Sequence, residues 1–397
     1  LYDEPVIADW NRHDYRLHFT FGVENKSDQD QKIRVCVTGG DRKELPYTSP
    51  LIFASDAPLS GYRRVEVDGA SDQVNTYDFD IIVAAGKTQY LANCLPRFLS
   101  KLVPMFDKLA RSTGAEREVF GYSIEGRELV AYKFIGTGSD RPLVLISSGI
   151  HPPEPDTLAT EAIIEFLGST ESDELKKIFD FVVVPIMNPD GYAHGSQAGT
   201  AAGLNFYWDF RYHDKEHCPE AAALYEYAMS LKPVLYFDFH AYTFQLRKHA
   251  SPYCKPVRRY RGKRVQQAVA DSYRVVKSKV SNGKGMSSFG TFAPSTFGEI
   301  LTRKFNTIGY AKYHIHLNDG VQACRDHAVA AVNCVCDTLS VHGLLKASDI
   351  LVAPYGSVSK EPVKEVRRKI SVYWNGFYFP RLYGVYLKYF KKYMKRA

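Results

Sequence analysis

Short stretches in which apolar and polar residues alternate dominate residues 1–98. Tyr15-Arg-Leu-His-Phe-Thr-Phe-Gly-Val, Lys32-Ile-Arg-Val-Cys-Val-Thr, Arg63-Arg-Val-Glu-Val-Asp and Phe79-Asp-Ile-Ile-Val-Ala follow a period of about two, the pattern of a strand with one buried face. Gly39-Gly40 closes the second stretch with a turn signal. Several such strands in succession predict a small β-sandwich of roughly 90 residues.

From residue 99 the period changes. Phe98 to Leu109 has helical spacing, and Leu129 to Ile135 reads as a strand. Leu143-Val-Leu-Ile-Ser-Ser-Gly and Phe181-Val-Val-Val-Pro-Ile are continuous apolar runs, as expected of strands buried on both faces. An apolar helix over Thr157 to Leu167 lies between them, and helix Glu220 to Leu231 leads into strand Leu235-Tyr-Phe-Asp-Phe-His. This alternation predicts an α/β domain with a mostly parallel sheet. Three parts result: a β-sandwich over 1–98, an α/β domain over 99–345 and a basic, aromatic C-terminal extension over 346–397.

Composition narrows the class. With 397 residues, 45% hydrophobic and 24% charged, the chain is ordinary globular material and long enough for more than one core. It has no apolar run of about 18 residues, which argues against a membrane-spanning helix. At Leu1 there is no charged-then-apolar leader, so a signal peptide is either absent or removed. Seven cysteines, an odd number without framework spacing, favour reduced thiols and a cytoplasmic location. Cys334 and Cys336, one residue apart in a small and apolar run, read as helix residues rather than half of a metal site. A net charge of +7 is modest for this length and gives no reason to expect nucleic-acid binding.

Candidate chemistry begins at His151-Pro-Pro-Glu154, directly after the strand ending in Gly149. Ligand sites in open α/β sheets lie at the carboxyl ends of strands. A His and a carboxylate three residues apart can converge there on one ion. Catalytic zinc takes three protein ligands of this type and leaves a position open. His240, ending Leu235-Tyr-Phe-Asp-Phe-His, fits the third ligand, with Asp238 two residues earlier able to hydrogen-bond a ligand His. Taken singly, His151 reads as a helix cap and His240 as a core histidine; together, beside Glu154, they point to a metal site.

Four motifs in order, Gly121-Tyr-Ser-Ile-Glu-Gly-Arg127, His151-x-x-Glu154, Asn188-Pro-Asp-Gly-Tyr192 and Asp238-x-His240, resemble the zinc carboxypeptidases, the cytosolic carboxypeptidase branch in particular. The resemblance covers roughly residues 115 to 340. It implies an α/β/α carboxypeptidase-like domain behind the β-sandwich, with a mixed sheet of about eight strands and zinc-activated water attacking a carbonyl.

Two positions depart from that pattern. Where the family carries its general-base Glu, Tyr313-His-Ile-His-Leu-Asn-Asp319 has His316, and Glu299 in the preceding loop is the fallback base, a solvent-facing position being its plainer reading. An unperturbed His can serve as a base near neutrality. Where the family holds the substrate's terminal carboxylate with an Arg after an Asn, Leu204-Asn205-Phe206 has Phe206. Asn205 remains to donate to substrate, and Arg211 is the candidate replacement charge, its plainer reading being a surface Arg in a loop. The expected activity is therefore zinc-dependent cleavage of an amide bond, as a carboxypeptidase or related amidase. The alternatives are a zinc deacylase or esterase on a non-peptide substrate, and a non-catalytic binding module that retains the metal. The expected partner is a peptide or an acylated small molecule. Leu382 to Met394 gathers apolar and aromatic residues on one helical face with lysines on others, a pattern suited to docking on the core or a partner, or to an anionic membrane surface. The sequence does not indicate oligomeric state.

Overall fold

Strands β1 (Thr20–Glu24), β2 (Gln31–Thr38), β3 (Ile52–Ser55), β4 (Arg63–Val65), β5 (Thr76–Val83) and β6 (Thr88–Ala92) form two antiparallel sheets. One has the order β1-β6-β3-β4 and the other pairs β2 with β5. Ile52, Ala54 and Leu91 of the first sheet meet Phe79, Ile81 and Val83 of the second in one apolar cluster. This is the expected sandwich. Within the computed structural model, residues 19–38, 51–66, 76–152, 154–196, 199–205, 207, 210, 215–216, 218–242, 260–280, 296–316 and 319–352 are described, with 37–38, 76–77, 242, 280 and 311–316 described as backbone.

Helix α1 (Leu99–Thr113) buries Leu102, Phe106 and Ala110, one face at four-residue spacing, and Gly114 ends it in the left-handed region at φ 73°. Then come β7 (Glu116–Tyr122), β8 (Glu128–Phe134), β9 (Leu143–Ser147), α2 (Thr157–Leu167), α3 (Asp173–Ile178), β10 (Asp180–Val184) and α4 (Pro189–His194). The order continues with α5 (Pro219–Leu231), β11 (Leu235–Tyr242), α6 (Lys263–Val280), α7 (Phe297–Phe305), β12 (Ile308–His316), α8 (Val321–Val341) and α9 (Ala347–Ile350). The sheet of this part runs β12-β11-β9-β10-β8-β7. Its first four strands are parallel, and β8 and β7 are antiparallel. It is therefore mixed, with six strands among the described residues.

The unbroken apolar runs have a direct cause. Val144, Ile146, Phe181 and Val183 face α1, α2, α6 and α8 in one cluster, while Leu145, Val182 and Val184 face α5 and α7 in another. With helices on both faces, the layers are α/β/α. Cys334 and Cys336 are buried in α8, as helix residues, and burial pushes the Cys336 thiol well up. Among the described residues no helix is long and apolar enough to cross a membrane. Residues 346–352 fold back on the core, with Ile350 buried and its carbonyl accepting from Asn306 Nδ2 at 2.9 Å. The rest of the extension, including the helix expected over 382–394, lies outside the described residues.

Candidate metal centre

β9 and β11 are parallel neighbours inside the sheet, with Asp238 opposite Ser147. Beyond Ser147 the chain runs along the segment after β10: Ser148 N–H donates to Val184 O, and Met187 N–H to Ser148 O. Gly149 then turns it at φ 70°, where a Cβ would sit 2.6 Å from Pro185 O. Only glycine fits both that angle and that approach. The turn brings His151 to the carboxyl end of the sheet, and β11 brings His240 to the same end.

His151 Nδ1 lies 2.8 Å from Glu154 Oε1, and His240 Nδ1 lies 3.0 Å from Glu154 Oε2. Ala241 N–H also donates to Oε2, at 3.0 Å. Ligand atoms of these three residues all fall within 4.8 Å of one another. The outer nitrogens are held too. His151 Nε2 is 3.1 Å from Asn205 Oδ1, and His240 Nε2 is 3.3 Å from Asp238 Oδ2. Ser147 Oγ steadies Asp238 from below at 3.3 Å and bonds Tyr236 Oη at 2.8 Å. Such outer acceptors fix the tautomer with hydrogen on Nε2 and leave Nδ1 to bind metal.

All four ring nitrogens thus face oxygen acceptors. A neutral imidazole donates from one nitrogen only, so each inner contact needs a proton or another cation. The titration directions agree. Burial opposes the His240 imidazolium, but Asp238 and Glu154 outweigh it and raise its pKa to about 10. Burial would raise Glu154, but the two histidines pull it well below the usual carboxylate range. The site is built for positive charge, and its two imidazole nitrogens and one carboxylate could hold a metal ion, with the donor types that zinc takes.

The zinc carboxypeptidase family profile matches residues 105–327, more than half of the chain. The chain belongs to the zinc carboxypeptidase family. Zinc is that family's cofactor. Among its relatives, carboxypeptidase B of Astacus astacus is 28% identical over 169 residues, covering 32% of this chain and 55% of that protein. Cytosolic carboxypeptidase 6 of Caenorhabditis elegans is 27% identical over 266 residues, covering 61% of this chain and 58% of that protein. The chain thus spans little more than half the length of either. A metallo-carboxypeptidase from Burkholderia cenocepacia shares the fold at a TM-score of 0.67 and 16% identity, over 82% of this chain and 89% of that one.

The other residues singled out by sequence take varied places. Asn205 is fully buried with its Oδ1 on His151, and its Nδ2 has no hydrogen-bond partner among the described residues. It braces the His151 ring nitrogen opposite the one that faces Glu154. Glu299 is neither in a loop nor solvent-facing: it lies in the first turn of α7, 6% exposed, and pairs with Arg303 at 3.5 Å. The packing of α7 on the sheet through Phe297 and Leu301 draws it inward. The register pairs His314 with His240 and His316 with Tyr242, so His316 ends its strand two residues past the level of His240. Phe206 and Arg211 lie outside the described residues. Sequence reasoning missed Tyr207, buried with its ring 5.0 Å from His240 and 6.0 Å from His151, edge-on to both. It also missed Asp156, whose Oδ2 accepts the Gly149 N–H at 3.1 Å. An acidic residue directly before an apolar helix was the available signal for Asp156.

Proposed function

We propose that this chain is a zinc-dependent hydrolase that cleaves an amide bond, with His151, Glu154 and His240 holding the zinc. The carrying observation is the ring of oxygen acceptors around both imidazoles, which calls for a cation between their Nδ1 atoms and Glu154. Zinc, when bound, polarises a carbonyl and makes water a nucleophile near neutral pH. The chain's own residues supply the rest. Asp238 and Asn205 hold the imidazoles in the metal-binding tautomer, and Tyr207 packs against their edges. His316, two residues past the ligand level, is the proposed general base. Glu299 is the weaker candidate, because its pairing with Arg303 favours a fixed carboxylate.

A second reading is deacylation or ester cleavage on a non-peptide substrate. It is supported by Phe206, which cannot pair with a terminal carboxylate, and by the engagement of Asn205 with His151. Arg211 is the side chain proposed to restore such a clamp if peptides are the substrates. A cytoplasmic location is supported by the odd count of seven cysteines without framework spacing, five of which are buried among the described residues. The test compares the zinc-loaded protein on a blocked dipeptide with a free C-terminus and on its amidated form and an N-acylated sugar. Preference for the free C-terminus supports a carboxypeptidase, and preference for the acylated sugar supports the deacylase. Zinc-loaded protein that hydrolyses none of them would count against catalysis.

A further inference from the structure

The Asn188-Pro-Asp-Gly-Tyr192 motif touches no ligand atom of the centre, yet Asn188 is fully buried beside it. Its hydrogen bonds define what it does. Oδ1 accepts the Gly191 N–H at 2.9 Å, and this fixes which way the carboxamide points. Nδ2 then donates to two main-chain carbonyls, Ile150 O at 3.2 Å and Gly199 O at 3.0 Å. Its main-chain N–H donates to Gly149 O at 3.0 Å. Gly191 is required for the nesting, because a Cβ there would lie 2.4 Å from Nδ2.

The two carbonyls belong to different segments with one target. Ile150 immediately precedes His151. Gly199 opens the loop that Thr200 N–H closes onto Leu204 O at 2.9 Å, directly before Asn205. Asn205 holds Nε2 of the same histidine. A single carboxamide therefore ties the segment carrying His151 to the loop orienting its ring. Two N–H donors at a fixed angle meet two carbonyls, and no other residue type of this size offers that with an acceptor on the third side.

We propose that Asn188 is a positioning residue that sets His151 for metal binding by clamping the Ile150 and Gly199 carbonyls together. This rests on the assignment of His151 as a zinc ligand. In Asn188→Asp both donors are lost and a carboxylate faces two carbonyls. In Asn188→Ser one hydroxyl reaches one carbonyl at most.

The test measures zinc affinity by competition with a chelating dye, and the visible spectrum of the cobalt-loaded protein, for wild type, both Asn188 variants and His151→Ala. Leu175→Ala, a core truncation on α3 at the opposite end of the sheet, serves as a stability control. Both Asn188 variants should bind zinc about 10- to 100-fold more weakly than wild type, with an altered cobalt spectrum. The Leu175 variant should keep wild-type affinity despite a comparable loss of thermal stability. Asn188→Ser carries the test if Asn188→Asp does not fold. Wild-type affinity and an unchanged spectrum in a folded Asn188 variant would overturn the proposal, as would equal weakening in Leu175→Ala. A wild type that binds no zinc would instead overturn the metal assignment beneath it.

Discussion

Glu220 is the second residue of α5 and is fully buried. Ile124 N–H donates to its Oε1 at 3.3 Å and Cys218 Sγ lies 3.7 Å from Oε2. Burial pushes its carboxyl from 4.5 up to about 7, and the charge of Asp190 adds to the rise, while the main-chain donors and Cys218 oppose it. The folded protein thus prefers protonated Glu220. That preference stabilises the fold fully below pH 4.5 and is lost as pH rises through 7. A displacement of this size corresponds to about 3 kcal/mol, of which about 2.5 kcal/mol falls between pH 5 and 8. Glu220→Gln keeps the acceptor for Ile124 and cannot ionise. Relative to wild type, the variant should gain about 2.5 kcal/mol of stability between pH 5 and pH 8. Urea unfolding of both proteins across that range measures the difference, in which other titrating groups cancel. Parallel curves over the whole range would refute the reasoning, because Glu220 would then titrate alike folded and unfolded.

Two further outcomes follow from the centre itself. Asn205→Ala should weaken zinc binding about 10- to 100-fold, whereas Asn205→Asp should retain or tighten it, since a carboxylate makes the His151 imidazole more basic; chelator competition measures both. His316→Ala should keep its zinc and lower turnover of an active substrate roughly 10²- to 10⁴-fold; loss of zinc instead would make His316 a ligand, and no change in either would return attention to Glu299.

Much of this was legible in the sequence because its causes are periodic. The runs at 143–146 and 181–186 are apolar at every step since helices cover both faces of those strands, and Thr157–Leu167 has the helix bounds expected of it. The convergence of His151, Glu154 and His240 was legible because strand ends and ligand spacing are local features. Asn205 was harder. That its amide meets a histidine 54 residues away depends on how the 199–205 loop closes, and no local pattern encodes that. Glu299 looked exposed because a charged residue beside a glycine resembles a loop, while the packing of α7 through Phe297 and Leu301 buried it. Asn188 was visible only as a turn, since its two carbonyl partners lie 38 positions before and 11 after it.

The central claim is that a cation belongs between His151, Glu154 and His240. Elemental analysis of purified wild type, His151→Ala and His240→Ala, each dialysed against limiting zinc and free of affinity tags, tests it most directly. Wild type should hold about one zinc per chain, as expected of a site with three protein ligands, and either variant should hold little. Full zinc occupancy in both variants, or none in a folded wild type, would contradict it.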